Sequence, residues 1–225
     1  MSDTDSFIDE VNEEVRRDRL YGLLRRYGWI PALAVVAIVG AASWFEYSKA
    51  QDRAAAESVG DALLTALSEN SPEDRLDGLM EARTGEAGAA AVAGFLRAGQ
   101  AEEVGDTSVA LAELDAISVN ADVALVYRHI AAFKAMTLQA DTLPVDELRQ
   151  GFEALAIAGA PLRLLAAEQL ALLEVREGDS DAAITRYQAI LVDAAVSPDL
   201  QQRALQVIVA LGGTPELDAM GAIGN

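Results

Sequence analysis

The chain of 225 residues has no cysteine and one histidine, His129. The first absence excludes a disulfide scaffold, so the fold must rest on its apolar core alone. The two together leave a zinc site with one imidazole and carboxylates, a poor ligand set. His129 lies in VYRHIAAF on a helical pattern and is read as a surface or partly packed side chain. Cations are also scarce: 17 Lys/Arg stand against 36 Asp/Glu, a formal net charge of −19. Such a balance repels nucleic acid and anionic headgroups. No GxxxxGK[ST], GxGxxG or GxSxG occurs, which removes the usual phosphate-cradling and serine-nucleophile signatures. Glu102-Glu103 and Asp146-Glu147 are neighbours in sequence and point to different parts of a helix surface. Asp179 and Asp181 lack the remaining spacing of a calcium loop and read as turn and cap. No catalytic residue, metal ligand, cofactor or small-molecule substrate is assigned, and a non-enzymatic role is expected.

Charge is missing altogether from Tyr27 to Phe45, YGWIPALAVVAIVGAASWF, a run of 45 − 27 + 1 = 19 residues. A helix of that length spans about 28 Å at ~1.5 Å per residue, close to the ~30 Å hydrocarbon core of a bilayer. Both tryptophans, Trp29 and Trp44, sit at its ends, joined by Tyr27, Phe45 and Tyr47. Amphipathic rings settle at headgroup level, so the pattern predicts a transmembrane helix over 27–45. Pro31 falls near its start, where a missing N–H costs least. A cleaved signal peptide fits less well. The apolar run is too long, and seven acidic residues precede it.

Arg16, Arg17, Arg19, Arg25 and Arg26 precede the run, whereas only Lys49 and Arg53 follow at a similar distance. Excess Lys/Arg stays cytoplasmic, which places the N-terminus inside and residues 46–225 outside the cytoplasm. Arg25 and Arg26, with Tyr27, Trp29, Trp44 and Phe45, form the expected membrane anchor. The tail contributes five Arg and seven Asp/Glu, or −2, so the outer part carries −19 − (−2) = −17. Residues 1–26 are expected as an acidic cytoplasmic tail with an Arg-rich juxtamembrane end, 46–212 as one helical domain and 213–225 as a flexible tail.

Past the run, Val59, Leu63, Leu64 and Leu67 mark one helical stripe, and Ser71-Pro72-Glu73 is a helix start. From Glu86 the chain is Ala-rich and helical, without the alternation of a strand. Breaks fall at Gly105-Asp106, Asn120, Asp141–Pro144, Gly159–Pro161, Gly178-Asp179 and Ser197-Pro198. Helices of this length with short connections pack as antiparallel neighbours.

Two breaks are alike. Counting from Gly105 and Gly178, a small residue follows at +5 (Ala110, Ala183), a large one at +9 (Leu114, Tyr187) and Ile at +12 (Ile117, Ile190). A small residue also precedes each by seven (Ala98, Ala171). This pattern resembles the tetratricopeptide repeat, a helix-turn-helix of ~34 residues. The resemblance implies an all-α solenoid of helix hairpins, with a degenerate unit over about 121–158. It also implies a concave groove lined by the first helix of each pair, at Val92, Phe95, Leu165, Glu168 and Leu172. That groove lacks the Lys/Asn set that grips a peptide carboxylate, so an amphipathic helix or unfolded segment is the expected ligand.

The whole layout resembles the ancillary SecYEG translocon subunit family (YfgM-like) of Gram-negative bacteria. The likeness is carried by the exit segment WFEYSKAQDRAAAES and the repeat GDSDAAITRYQAIL. It implies a single-pass inner-membrane protein whose periplasmic repeat domain lies beside the Sec translocon and associates with periplasmic chaperones. A membrane-tethered scaffold for another envelope complex, such as division or cell-wall assembly, is the alternative.

Overall fold

The structure, a computed structural model, describes residues 25, 29–82 and 84–216, without the side chains of Pro31 and Ala32. The tail over 1–24, the anchor residues Arg26 and Tyr27, and residues 217–225 lie outside the described residues. The described residues form nine helices and no strand, so the fold is all-α.

The chain divides into two compact units, residues 1–58 and 59–225. The long first helix, α1 (Trp29–Leu67, 39 residues), contributes to both. Among the described residues no helix is long and apolar enough to cross a membrane. This departs from the span expected over 27–45. The described uncharged stretch begins at Trp29 and ends before Glu46, a length of 45 − 29 + 1 = 17 residues. That is the lower limit of what a bilayer helix needs, ~17–25 residues. Tyr27 and Gly28, which complete the run, are outside the described residues. In the first unit Trp29, Ile30, Leu33, Val35, Val36, Ile38, Val39, Trp44 and Phe45 are all exposed.

The second unit holds the end of α1 and eight further helices. They are α2 (Pro72–Glu81), α3 (Ala87–Glu103), α4 (Thr107–Val119), α5 (Leu125–Leu138), α6 (Val145–Leu155), α7 (Arg163–Glu177), α8 (Ser180–Leu191) and α9 (Pro198–Ala210). From α2 to α9, each packs most closely against its sequence neighbours. Two starts use the same device. Ser71 and Ser197 accept from the N–H of Asp74 and Leu200, with Pro at the first helical position. A proline there loses no bond the helix would have made.

The core follows the chain in the same serial way. One cluster joins the end of α1, α2 and α3 around Leu79; the next joins α3, α4 and α5 around Leu114. A third sets Phe133 and Met136 of α5 against Phe152 and Leu170 of α6 and α7, and a fourth joins α7, α8 and α9 around Tyr187. Ala98, Ala110, Ala131, Ala166, Ala171, Ala183 and Ala204 are fully buried where these helices cross. Small side chains there let the backbones approach. Gly151 is tighter still, since a Cβ at that position would lie 2.1 Å from Met136 Sδ.

Candidate functional site

The two Gly-Asp turns are near copies. Gly105 and Gly178 have φ of 80° and 83°, a left-handed conformation that L side chains rarely adopt. The N–H of Asp106 reaches back to the Ala101 carbonyl at 2.8 Å, and that of Asp179 to Glu174 at 2.9 Å. Each aspartate then caps the following helix, Asp106 Oδ1 accepting from Val109 N–H at 3.1 Å and Asp179 Oδ1 from Ala182 N–H at 3.0 Å. Hydrogen bonds from Ser108 and Val109 hold the Asp106 carboxyl below the usual carboxylate range. The residues at −7, +5, +9 and +12 from each glycine are buried in both copies, Leu114 and Tyr187 at +9 included. Gly178→Ala is expected to destabilise the domain by ~1–2 kcal/mol, the penalty for an L side chain in the left-handed region. Urea unfolding followed by circular dichroism checks this.

A third turn of this kind follows α9. Gly212 has φ 84°, Gly213 N–H bonds the Ile208 carbonyl at 2.9 Å, and the spacing from Gly178 is 212 − 178 = 34 residues. The chain remains on the second unit as far as Glu216. There Gln188 donates to the Thr214 carbonyl at 2.9 Å and accepts from Glu216 N–H at 3.1 Å. The turn between α5 and α6 is built differently, with no positive φ; Leu143 N–H bonds the Gln139 carbonyl at 2.9 Å.

α3, α5 and α7 are the first helices, each running into one of these turns. The five groove residues expected from sequence fall on α3 and α7. Val92 and Leu172 are exposed, while Phe95 and Leu165 are half-buried. Glu168 is different: it is buried, and both its carboxylate oxygens accept from Arg203 of α9 at 2.8 Å. It ties two helices together and is not free to meet a partner.

Sequence reasoning missed Tyr127 on α5. It is exposed, and its ring lies 6.4 Å from that of Phe95. The signal was a spacing. Val92 precedes Gly105 by 105 − 92 = 13, Leu165 precedes Gly178 by 178 − 165 = 13, and Tyr127 precedes Ala140 by 140 − 127 = 13. One apolar residue of each first helix thus holds the same register.

Ion pairs tie the second unit together. Arg75–Glu103, Arg97–Glu113, Lys134–Glu102, Arg149–Glu177, Arg186–Glu174 and Arg203–Glu168 each join two helices, and Arg163–Asp193 joins α7 to the connection between α8 and α9. Two of them, Lys134–Glu102 and Arg203–Glu168, link α3 with α5 and α7 with α9. The described residues from Val59 on carry 25 Asp/Glu and 9 Lys/Arg. The seven pairs leave 25 − 7 = 18 carboxylates and 9 − 7 = 2 cations, Arg128 and Arg176, without an ion pair among the described residues. Arg176 donates to the Ala140 carbonyl at 2.6 Å. The described residues of this unit thus carry an excess of 25 − 9 = 16 negative charges.

No family model, curated protein or solved structure matches the chain. Among the described residues no group of three His, Asp or Glu could hold a metal ion. A cleft of about 610 Å³ between the end of α1 and α2 is lined by Glu69, Asp74, Asp77 and Glu81 together with alanines. The Nδ1 of His129 is buried and has no hydrogen-bond partner.

Proposed function

We propose that the chain is a non-enzymatic scaffold of the bacterial inner membrane, an ancillary subunit of the Sec translocon. Its helical hairpins, a tetratricopeptide-like solenoid, link the channel to the periplasmic chaperones that receive exported proteins. The N-terminus is cytoplasmic, and the hairpin domain is periplasmic. The observation that carries the reading is the first part of α1. Trp29, Val36, Ile38 and Trp44 are each more than 60% exposed, at 63%, 70%, 68% and 73%. These positions lie on different sides of the helix, and a helix apolar all round needs an apolar surround. The uncharged run as a whole, Tyr27–Phe45, has arginines on one flank and aromatic rings at both ends, the pattern of a bilayer-crossing helix. The translocon assignment rests on the resemblance of the exit segment and the repeat.

A single cysteine at Ser180 tests the topology against no background, since the native chain has none. It is expected to react with a membrane-impermeant maleimide once the outer membrane is opened. Reaction only after the inner membrane is broken would reverse the orientation and remove every periplasmic role. Mild-detergent purification of the full-length protein after light crosslinking tests the partner. Channel subunits and periplasmic folding factors are expected to dominate, and division or wall-synthesis proteins in their place would overturn the translocon assignment.

A further inference from the structure

We infer that Met136 is a modification site: a peroxide converts its thioether to the sulfoxide, and the sulfoxide loosens α5 from α6. The inference goes beyond the translocon assignment and does not rest on it. Of the methionines Met1, Met80, Met136 and Met220, the described residues include Met80 and Met136. Met80 is 52% exposed on α2. Met136 is half-buried on α5 and packs against the cluster that holds Leu148, Phe152 and Leu155 of α6 and Leu170 of α7. Its sulfur, rather than its terminal methyl, comes nearest to Gly151. A Cβ there would lie 2.1 Å from Sδ and 3.5 Å from Cε.

That contact accounts for a glycine in the body of α6 (Val145–Leu155), a position where Gly is less stable than Ala. The thioether takes the space that a side chain at 151 would fill. The joint also has wide reach. Ala131 and Ala135 of α5 belong to the cluster around Leu114 with α3 and α4, whereas Phe133 and Met136 belong to the cluster with α6 and α7. The seat of Met136 on Gly151 thus lies where one half of the hairpin domain is fastened to the other.

The chemistry is a two-electron oxidation. The sulfur lone pair attacks the outer oxygen of a hydroperoxide, so that an S–O bond forms and the O–O bond breaks. A proton passes to the departing oxygen, which leaves as water when the oxidant is hydrogen peroxide. The sulfur is oxidised and the peroxide is reduced. Partial exposure gives the oxidant access, and a flexible apolar side chain becomes a polar one. Leu148, Phe152, Leu155 and Leu170 offer the new oxygen no donor, and an unsatisfied polar atom is costly in such surroundings. If the side chain turns out to water instead, it leaves a void beside Gly151, which has no side chain to fill it. Both outcomes weaken the same joint, and sulfoxide reductases can undo either.

The test treats the full-length protein in mild detergent with hydrogen peroxide and locates added oxygen by peptide mass spectrometry, with Met80 as the internal measure of dose. Once Met136 is oxidised, Tm is expected to fall by about 5 °C, and methionine sulfoxide reductase should restore it. Hydrogen exchange should quicken over residues 125–155 before residues 180–210. Met136→Leu keeps the volume and is expected to hold its Tm through the same treatment, although Met80 is still oxidised. Met136→Gln places a polar group at the same reach and should show the lowered Tm without oxidant. The inference is overturned if Met136 stays reduced at a dose that converts Met80 in full. It is overturned equally if the sulfoxide at Met136 leaves Tm unchanged, or if Met136→Leu falls as far as the parent.

Discussion

Tyr187→Ala is expected to lower the stability of the hairpin domain by ~3–5 kcal/mol, the range for deleting a buried aromatic ring. The ring is 1% exposed and fills the space between α7, α8 and α9, against Ala171, Ile190, Leu200, Ala204 and Ile208. Ala171 and Ala204 are too small to close the resulting void, so the cavity penalty adds to the lost burial. Against a total of ~5–15 kcal/mol for a domain, such a loss detaches α9 before the rest unfolds. Hydrogen exchange should then show protection lost first over residues 198–210. Tyr187→Phe keeps the ring and is expected to stay within ~1 kcal/mol of the parent at neutral pH.

The same residue sets an alkaline limit. Burial, reinforced by the negative charge of Glu168 and opposed by Arg203, pushes the Tyr187 phenol up from 10.0 to about 12. The neutral phenol is thus favoured in the folded state. Its contribution is fully present below pH 10.0 and is lost as pH rises from there to about 12, at about 1.4 kcal/mol per unit. Urea titrations from pH 9 to 12 should show this slope in the parent and its absence in Tyr187→Phe. Parallel pH profiles for the two proteins would mean that the phenol does not resist ionisation on folding.

The Gly-Asp turns were legible in the sequence because each residue answers a local requirement. A left-handed φ needs glycine at 105 and 178, and an exposed helix start needs an acceptor at 106 and 179. Small and large positions at fixed offsets then follow from how one helix crosses the next. The same logic passed over Gly212. Its turn repeats the geometry at the 34-residue interval, but Gly213-Thr214-Pro215 replaces the Gly-Asp pair. Tyr127 was hidden for a related reason. Its hairpin closes through Gln139 and Leu143 without a glycine, so no marker showed where to start counting.

Charge partners were not legible at all. Glu168 and Arg203 are 203 − 168 = 35 residues apart, and only the packing of α9 on α7 brings them together. From sequence, Glu168 was one more acidic residue on a helix and suited a groove. Its burial reassigns it to the interior wall of the α7–α9 contact. The apolar run at 27–45 poses the converse problem. Composition is plain there, but what surrounds a helix is not written in the helix itself.

Arg203→Ala separates a structural Glu168 from a recognition residue. Removing the guanidinium leaves a carboxylate whose side chain is 11% exposed with no cation beside it. Arg203 itself is half in solvent, at 48%. The cost should therefore lie between that of a surface pair, ~0.2–1 kcal/mol, and that of breaking a buried one, ~3–5 kcal/mol; about 2 kcal/mol is expected. Glu168→Leu removes the buried charge and lets Arg203 turn to water, so it should cost under ~1 kcal/mol. The double variant should resemble Glu168→Leu alone, because the harm in Arg203→Ala comes from the stranded carboxylate and disappears with it. Urea unfolding of the four proteins at pH 7 gives the cycle. Additive single effects would show that the two groups act independently. The order Arg203→Ala worse than Glu168→Leu also bears on function. A Glu168 that met the partner would lose binding in Glu168→Leu with stability intact. A Glu168 that braces α7 against α9 would keep its co-purifying partners in Glu168→Leu and lose them in Arg203→Ala, where the α7–α9 contact is disturbed.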